Sequence, residues 1–181
     1  EGDSDTPRPG VMIMPAFEGP TLLYKEMAKD YAKLGYAAFV VDLYGDGVVY
    51  DKFEDCVSSM TEHFENRGML KGKLLGALDA LKSHEAVNSS KIAIMGFCFG
   101  GLCALDLARS GADILGAVSI HGALAAPDLP KKKIKSKVLV LHGYEDPQIP
   151  PDQLPVFADE MNAAEVDWQF HFFSHTKHAF T

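Results

Sequence analysis

The stretch that decides the fold of this chain is KIAIMGFCFGG, residues 91–101. Its apolar first half is typical of a buried strand, and the segment from about Leu102 to Arg109 favours a helix. Between them, Gly-x-Cys-x-Gly is the pattern of a nucleophile elbow, a sharp turn that lifts one side chain above the sheet. Glycines flank that side chain because larger residues would collide there. The pattern makes Cys98 a candidate nucleophile.

Each of the three cysteines also has a simpler interpretation, since free cysteine is among the residue types most often buried in a core. For Cys98, the position between a strand and a helix favours the functional interpretation. Cys56 and Cys103 have no comparable setting, and we expect both to be structural.

Outside this stretch, short apolar runs alternate with helical patterns. We predict strands at residues 11–15, 36–42, 91–95, 115–120, 137–142 and 166–173. Helical spacing joins Leu23, Met27, Tyr31 and Leu34 in a helix capped by Gly35, and also Leu70, Leu74, Leu75, Leu78 and Leu81. A further helix opens with Asp152 as N-cap. Most strands are continuously apolar, which predicts an α/β fold with a mostly parallel central sheet and helices on both faces, in a single domain over residues 1–181.

Composition excludes several classes of partner. The formal net charge is −8, whereas a surface that binds nucleic acid is basic, so we expect no nucleic-acid partner. The lysine-rich run at residues 131–135 is interpreted as a solvated loop. No apolar run approaches the roughly 20 residues of a membrane-spanning helix, and residues 1–5 do not have the pattern of a signal peptide. Three cysteines without regular spacing form no disulfide framework, and a reactive thiol survives best in a reducing compartment, so we expect a cytoplasmic protein.

Candidate partners for Cys98 follow two later strands. In a parallel sheet, functional groups collect in the loops at the carboxyl ends of the strands. The loop HGYEDP at residues 142–147 contains Asp146, and the loop SHTKHAF at residues 174–180 contains His178. Nucleophile, acid and histidine therefore follow one another in the chain order of α/β-hydrolases.

Both partners have rivals on position alone. Glu145 is the alternative acid, although we expect Asp146 to be the one that points inward. His175 is the alternative histidine. His171 lies inside a strand and is interpreted as a packing or surface residue.

The predicted roles follow from the chemistry of a thiol, which is mostly protonated at neutral pH because its free pKa is about 8.5. His178 is the predicted base, and Asp146 would hold its tautomer and stabilise its cation. The N-terminus of the following helix also favours a thiolate at Cys98. An acyl group would pass to the sulfur and then to water. The predicted oxyanion donors are the backbone N–H groups of Phe99 and Phe17.

Four further residues have candidate positions around this site. Glu18 is either solvated or a charge near the thiol, and Tyr144 is a candidate lining residue. His121 and His142 end strands near the site; either could line it, but we favour the satisfaction of buried hydrogen bonds.

With these residues placed, the chain resembles the dienelactone hydrolase family of α/β-hydrolases. The resemblance covers PAFEG at residues 15–19, GYAA at 35–38, DLYG at 42–45, the elbow at 96–101, His142-Gly143 with Asp146, and HAF at 178–180. It implies the α/β-hydrolase fold, a catalytic triad of Cys98, Asp146 and His178, and hydrolysis of an ester or lactone bond without a metal or cofactor. It also favours His178 over His175, because the family histidine is followed by a small residue and phenylalanine.

The chain departs from the family at positions that bear on its substrate. The family glutamate that pairs with the resting thiol corresponds to Ala16, with Glu18 two residues later, so thiol activation is expected to differ. The family holds a substrate carboxylate with two arginines. Arg67 lies too close to the elbow to match the first, and the second would lie beyond Thr181, so dienelactone itself is unsupported as the substrate. By family standards we also expect segments to be missing at both ends.

Other functions stay open at this point. A general carboxylesterase or thioesterase shares the acyl chemistry and differs only in the shape of the pocket. A noncatalytic binding protein could keep the α/β-hydrolase fold. A thiol redox protein would pair Cys98 with Cys103, which their spacing across an elbow and a helix disfavours. We expect a small-molecule ester or lactone as the partner, and a monomer or a homodimer.

Overall fold

The computed structural model describes residues 6–149 and 152–181, and a six-stranded sheet forms its centre. The strands are β1 (Arg8–Met14), β2 (Ala37–Val40), β3 (Val87–Phe97), β4 (Gly116–Ile120), β5 (Lys137–Gly143) and β6 (Trp168–Phe173). The helices are α1 (Leu22–Lys33), α2 (Phe53–Glu65), α3 (Arg67–Lys82), α4 (Phe99–Arg109) and α5 (Gln153–Ala163). Neighbouring strands pair in parallel in the order β2-β1-β3-β4-β5-β6. The predicted α/β fold is confirmed; residues 1–5, for which we predict no signal peptide, lie outside the described residues.

Alternate residues of β1 face opposite sides of the sheet, and helices cover both sides. Met12 and Met14 pack into the larger core, together with side chains of α3, α4 and α5. Val11 and Ile13 pack into a smaller core with Tyr24 of α1. Helices cover both faces of the central strands, which are continuous apolar runs in the sequence. The edge strand β6 differs, since it is largely exposed and its Phe172 and Phe173 are 44% and 40% exposed.

The face of α1 that packs on the sheet differs from the predicted one. Leu23 and Leu34 are 63% and 72% exposed, whereas Tyr24 is 3% exposed. The prediction followed apolar character alone, but Tyr24 is buried because its hydroxyl finds hydrogen-bond partners in the loop after β1. The side chains that face the sheet are Tyr24, Met27, Ala28 and Tyr31. The predicted end of the helix is correct, since Gly35 follows it with a φ of 94°.

The other helices agree with the sequence patterns in most respects. The leucines of α3 that are buried are Leu70, Leu74, Leu78 and Leu81. Helix α4 begins at Phe99, earlier than the predicted start near Leu102, because the chain enters it directly from the elbow. Asp152 occupies the N-cap position of α5, but its side chain makes no capping hydrogen bond. No helix within residues 6–149 and 152–181 is long and apolar enough to cross a membrane.

A buried ion-pair network joins α3, α4 and α5. Arg67 donates to both carboxylate oxygens of Asp106, at 2.6 Å each. Arg109 donates to Glu160 through Nε and Nη2, at 2.9 and 2.7 Å. Charges tolerate burial when they are paired and hydrogen-bonded in this way. Arg67 is therefore engaged in a structural contact between helices.

The strand order brings two loops together at the carboxyl end of the sheet. From β1 the chain passes through α1 to β2 on one side, and it later enters β3 on the other side of β1. The loops after β1 and β3 therefore lie side by side where the direction of winding changes, which is the usual ligand position in open α/β sheets. Residues 15–19 follow β1, and Cys98 follows β3.

Candidate active site

Cys98 occupies the turn between β3 and α4 with a φ of 52° and a ψ of −117°. Residues other than glycine rarely adopt a positive φ, and such strain persists only where the surroundings enforce it. A Cβ on Gly96 would collide with the carbonyl group of Gly100, and a Cβ on Gly100 would collide with the carbonyl group of Met14. The chain thus makes the sharp turn that Gly-x-Cys-x-Gly predicts, and the two glycines make that turn possible.

The structure brings Cys98, His178 and Asp146 together from the loops after β3, β6 and β5. Nε2 of His178 lies 3.2 Å from Sγ of Cys98, and Nδ1 lies 2.8 Å from Oδ2 of Asp146. Asp146 is buried, and the backbone N–H of Gln148 donates to its Oδ1 at 2.8 Å. His178 therefore lies between a thiol and a carboxylate whose orientation is fixed.

The contacts of His178 determine which ring nitrogen carries the proton. A carboxylate can only accept hydrogen bonds, so Nδ1 of His178 donates to Asp146. In the neutral ring, Nε2 then presents its lone pair to the thiol of Cys98. This geometry allows the thiol proton to move directly to Nε2.

Burial raises the pKa of the Cys98 thiol to about 11. The backbone N–H of Phe99 lowers this pKa, whereas the charges of Glu18 and Asp146 raise it further. We expected the N-terminus of α4 to favour a thiolate, but desolvation outweighs that effect. The thiol is therefore protonated at neutral pH, and it needs a base to become a nucleophile.

His121 is buried beside the elbow and interacts with the backbone of Cys98. The Cys98 N–H donates to the carbonyl oxygen of Ile120 at 3.0 Å and also to Nδ1 of His121 at 3.1 Å. Nε2 of His121 lies 3.2 Å from Oγ1 of Thr181. The rings of His121 and His178 pack edge to face with centroids 4.7 Å apart. Burial lowers the pKa of His121 to about 4, and nearby His178 lowers it further. His121 thus shares the Cys98 N–H with Ile120 as a neutral ring, and its ring also lies against His178.

Close contact between the loops after β5 and β6 depends on Gly143. A Cβ at this position would lie 2.5 and 2.7 Å from the carbonyl oxygens of Thr176 and Lys177. The backbone N–H of Glu145 donates to the carbonyl oxygen of Thr176 at 3.0 Å. These contacts hold the acid-bearing loop against the histidine-bearing loop.

The rival acid and the rival histidine pair with each other. Nδ1 of His175 lies 3.2 Å from Oε1 of Glu145, and the His175 side chain is 90% exposed. His171 is exposed on β6. It is therefore His178, and not His175 or His171, that the structure places against Cys98.

Two further candidate residues lie beside the site without contacting the thiol. His142 is buried, burial lowers its pKa, and its Nε2 lies 3.9 Å from Oδ2 of Asp146. Its Nδ1 is buried without a hydrogen-bond partner among the described residues, so the role we favoured, satisfaction of a buried hydrogen bond, is wrong for His142. Tyr144 is 71% exposed, and its ring contacts that of Phe172. Across the described residues, no hydrogen bond or ring contact joins Tyr144 to Cys98.

The backbone N–H groups of Phe17 and Phe99 belong to the two loops that meet at the carboxyl end of the sheet. The Phe99 N–H lies at the start of α4, where it interacts with the thiol of Cys98. The Phe17 N–H has no acceptor within the part of the chain that the structure describes.

Two tyrosines with no predicted role fix the loop that contains Phe17. The Tyr44 hydroxyl donates to the carbonyl oxygen of Phe17 at 2.8 Å. The Tyr24 hydroxyl accepts from the Ala16 N–H at 3.0 Å and donates to Oε1 of Glu18 at 3.1 Å. The carboxylate of Glu18 is thus bound to α1. A role for Tyr44 had one signal in the sequence. Tyr44 lies shortly after a strand, at the end of the sheet where functional sites form.

Three side chains that could bind a metal converge at the same place. Sγ of Cys98 and ring nitrogens of His121 and His178 lie within 4.8 Å of one another. Thiolate and imidazole are ligands that zinc prefers. In the structure, however, Nδ1 of His121 already accepts from a backbone N–H, and Nε2 of His178 faces the thiol. The cluster therefore coincides with the hydrogen-bonded arrangement around Cys98.

A cavity of about 400 Å³ opens near the far end of α4, beside Arg109 and Glu160. Helix α4 is about 16 Å long, so this cavity is remote from Cys98. Two of the charged residues that line it are paired, since Arg109 binds Glu160 at 2.7 Å, and Arg109 also donates to the carbonyl oxygen of Leu124 at 2.7 Å. The cavity is therefore separate from the site built on the elbow.

Comparisons with known proteins identify the family of the chain. The family model described as "Dienelactone hydrolase family" matches residues 2–181. A Bradyrhizobium protein named "Probable 2-oxo-3-(5-oxofuran-2-ylidene)propanoate lactonase" is 28% identical over 183 residues, which cover 95% of this chain and 73% of the relative. An uncharacterized Caenorhabditis elegans protein is 38% identical over 122 residues, which cover 65% of this chain and 76% of the relative.

Solved structures show the same relationship. A dienelactone hydrolase-like promiscuous phosphotriesterase from metagenomic libraries superposes with a TM-score of 0.93 and 37% sequence identity. The superposition covers 100% of this chain and 75% of that structure. Since the family model matches nearly every residue of a chain that has the elbow, the sheet and the loop order described above, the chain belongs to the dienelactone hydrolase family of hydrolases.

Proposed function

We propose that this chain hydrolyses an ester or lactone bond through a triad of Cys98, His178 and Asp146. The observation that carries the proposal is the hydrogen-bonded line from thiol to imidazole to carboxylate, with distances of 3.2 and 2.8 Å. A nucleophile, a base and an orienting acid in mutual contact are the requirement for nucleophilic acyl transfer. The names of the lactonase relative and of the esterase-type family support the choice of bond.

In the first half-reaction, Sγ of Cys98 attacks the carbonyl carbon while its proton moves to Nε2 of His178. Asp146 stabilises the imidazolium that forms. The negative oxygen of the tetrahedral intermediate accepts hydrogen bonds from the N–H groups of Phe99 and Phe17. Collapse of the intermediate breaks the bond to the leaving oxygen, which takes the proton from His178, and a thioester on Cys98 remains.

In the second half-reaction, His178 removes a proton from water as the water attacks the thioester. The carbon–sulfur bond then breaks, the carboxylic acid leaves, and the proton returns to the sulfur of Cys98. Because burial raises the pKa of this thiol to about 11, the resting enzyme holds a thiol and forms no stable thiolate–imidazolium pair. Every step uses only the side chains and backbone groups around the elbow.

The test is hydrolysis of p-nitrophenyl esters, lactones and acyl thioesters by the wild type, by Cys98→Ala and by the matched control Cys56→Ala. Cys56 is a buried cysteine on α2 whose Sγ donates to the carbonyl oxygen of Tyr50 at 3.5 Å. Within the described residues it has no hydrogen bond to Cys98, His178 or Asp146. The proposal predicts that only Cys98→Ala abolishes hydrolysis, with a loss of roughly 10³-fold or more. A p-nitrophenyl phosphotriester belongs in the panel because a 37% identical structure is named a promiscuous phosphotriesterase.

Equal rates in the wild type and Cys98→Ala would contradict the proposal. So would the absence of hydrolysis of any ester, lactone or thioester by the wild type, and that result would favour a noncatalytic binding protein. The relative rates with esters, lactones and thioesters also decide between a lactone hydrolase and a general carboxylesterase or thioesterase.

A further inference from the structure

We propose that Tyr44 and Tyr24 are positioning residues that hold the loop after β1 so that the Phe17 N–H faces the oxyanion. The inference rests on the proposed function, since it concerns the oxyanion donors of the same reaction. It assigns a role to two hydroxyl groups that the triad does not use.

The peptide group between Ala16 and Phe17 carries the donor, and hydrogen bonds constrain it directly. Its carbonyl oxygen, that of Ala16, accepts from the backbone N–H of Gly19 at 3.2 Å. In a planar trans peptide the N–H points opposite to the carbonyl group. The turn closed by Gly19 therefore directs the Phe17 N–H to the other side, where the described residues offer it no acceptor.

Tyr44 fixes the peptide group that follows. Its hydroxyl donates to the Phe17 carbonyl oxygen at 2.8 Å. Burial raises the pKa of Tyr44 well above its usual value, so the hydroxyl stays protonated and remains a donor. The ring of Tyr44 is itself held between the rings of Tyr50 and His63, with centroids 5.3 and 5.5 Å away.

Tyr24 fixes the peptide group that precedes. Its hydroxyl accepts from the Ala16 N–H at 3.0 Å and donates to Oε1 of Glu18 at 3.1 Å. Tyr24 is buried on α1 and packs against the ring of Phe97, the residue before the nucleophile, with centroids 5.7 Å apart. The Phe17 N–H is thus bracketed by two tyrosine contacts, one on each side in the chain.

The precision that this arrangement provides is what an oxyanion donor needs. An oxyanion donor stabilises the transition state most when it is already held close to its productive position before the reaction begins. A donor on a mobile loop loses that advantage. Residues 15–19 form a loop that two backbone contacts hold, the turn closed by Gly19 and the bond of 2.9 Å from the Tyr50 N–H to the Glu18 carbonyl oxygen. The tyrosine hydroxyls add constraint from side chains outside the loop. Tyr44 and Tyr24 come from two different elements, the segment after β2 and helix α1.

The experiment compares Tyr44→Phe and Tyr24→Phe with the control Tyr50→Phe. Phenylalanine keeps each ring and removes only the hydroxyl. The Tyr50 hydroxyl has no hydrogen bond within the described residues, although its ring lies in the same cluster. Loss of a whole oxyanion donor costs about 10²- to 10³-fold in kcat, so we expect a fall of roughly 10- to 100-fold for Tyr44→Phe, with KM nearly unchanged.

A second readout separates positioning of the oxyanion donor from damage to the thiol. Iodoacetamide alkylates Cys98 by displacement of iodide, a reaction that builds no oxyanion. The inference predicts an unchanged alkylation rate in Tyr44→Phe and weaker binding of a trifluoromethyl ketone, whose adduct with the thiol does carry an oxyanion. Tyr24→Phe should show the same pattern, and Tyr50→Phe should match the wild type in every assay.

The outcomes distinguish this inference from the proposed function. If wild-type hydrolysis does not depend on Cys98, both fail together. If hydrolysis depends on Cys98 but Tyr44→Phe retains wild-type kcat, only the positioning role is wrong. It is also wrong if alkylation and hydrolysis fall by the same factor, because the hydroxyl then acts on the thiol and not on the oxyanion donor.

Discussion

The backbone N–H of Cys98 donates to Nδ1 of His121 across 3.1 Å and shares this donor with the carbonyl oxygen of Ile120, at 3.0 Å. His121 can accept this bond only as a neutral ring. The backbone of His121 has a φ of 42°. The contact ties the strained backbone of the elbow to the end of β4. Protonation of His121 would break this bond and place a buried cation beside His178.

We predict that His121 makes the fold sensitive to acid. Its pKa is lowered from 6.5 to about 4, chiefly by burial, so the unfolded chain binds this proton first as the pH falls. The stability gained from a neutral His121 is present above about pH 6.5 and is lost toward about pH 4, by as much as about 3 kcal/mol. The measurement is the free energy of unfolding in urea across this range.

The matched variant is His121→Asn, because asparagine keeps an acceptor near the position of Nδ1 and tolerates a positive φ. The ionisable side chains that face His121, those of His178, His142 and Asp146, are present in both proteins, so the difference between the two proteins isolates His121. The variant should lose less stability on acidification than the wild type. Equal losses would show that His121 is not the group responsible.

We also predict that Cys98 reacts slowly with alkylating agents at neutral pH. A pKa raised to about 11 by burial leaves little thiolate at neutral pH, whereas an ion-paired cysteine is already a thiolate there. The rate of alkylation by iodoacetamide should therefore rise steadily with pH through the neutral range toward about pH 11. A plateau that begins in the acidic range would indicate a stable thiolate–imidazolium pair.

Replacement of Asp146 by asparagine should lower kcat by roughly 10²- to 10⁴-fold with little change in KM, because the amide can stabilise the wrong tautomer of His178 and cannot stabilise its cation. Glu145→Gln is the control, since Glu145 is the adjacent carboxylate and pairs with exposed His175. Steady-state measurement of kcat and KM for both variants tests this prediction. A larger loss in Glu145→Gln than in Asp146→Asn would reverse the assignment of the acid.

Gly143→Ala should lower both activity and stability. The added Cβ would lie 2.5 Å from a backbone carbonyl oxygen in the histidine-bearing loop, and backbone atoms cannot move aside cheaply. Gly76→Ala is the control, because Gly76 is exposed on α3 with nothing within 4 Å of an added Cβ. Thermal unfolding should show a gain of about 0.5–1 kcal/mol for Gly76→Ala and a loss for Gly143→Ala. A stable and active Gly143→Ala protein would mean that the two loops need not approach so closely.

The sheet and the positions of the site loops could be predicted from the sequence because both follow from local patterns. Continuous apolar runs predict buried parallel strands, and parallel strands bring the loops after residues 97, 143 and 173 to the same edge of the sheet. The roles of Cys98, Asp146 and His178 stay a prediction that these positions support. Hydrophobic spacing also identified the buried leucines of α3.

Other features depend on three-dimensional contacts that no local pattern describes. The exposure of Leu23 and the burial of Tyr24 follow from hydrogen bonds to a loop, which apolar spacing does not include. The raised pKa of Cys98 reflects desolvation by the assembled loops, which outweighs the local effect of the helix N-terminus. The contact between Tyr44 and Phe17 joins residues on different loops, so sequence spacing gives no sign of it.

The most direct test of the central claim is the mass of the protein during turnover of a p-nitrophenyl ester. Rapid acid quench followed by peptide mapping should find the acyl group of the ester on Cys98, and His178→Ala should prevent its accumulation. Release of p-nitrophenol without an acyl group on any residue, or with the acyl group on a residue other than Cys98, would contradict the proposed mechanism.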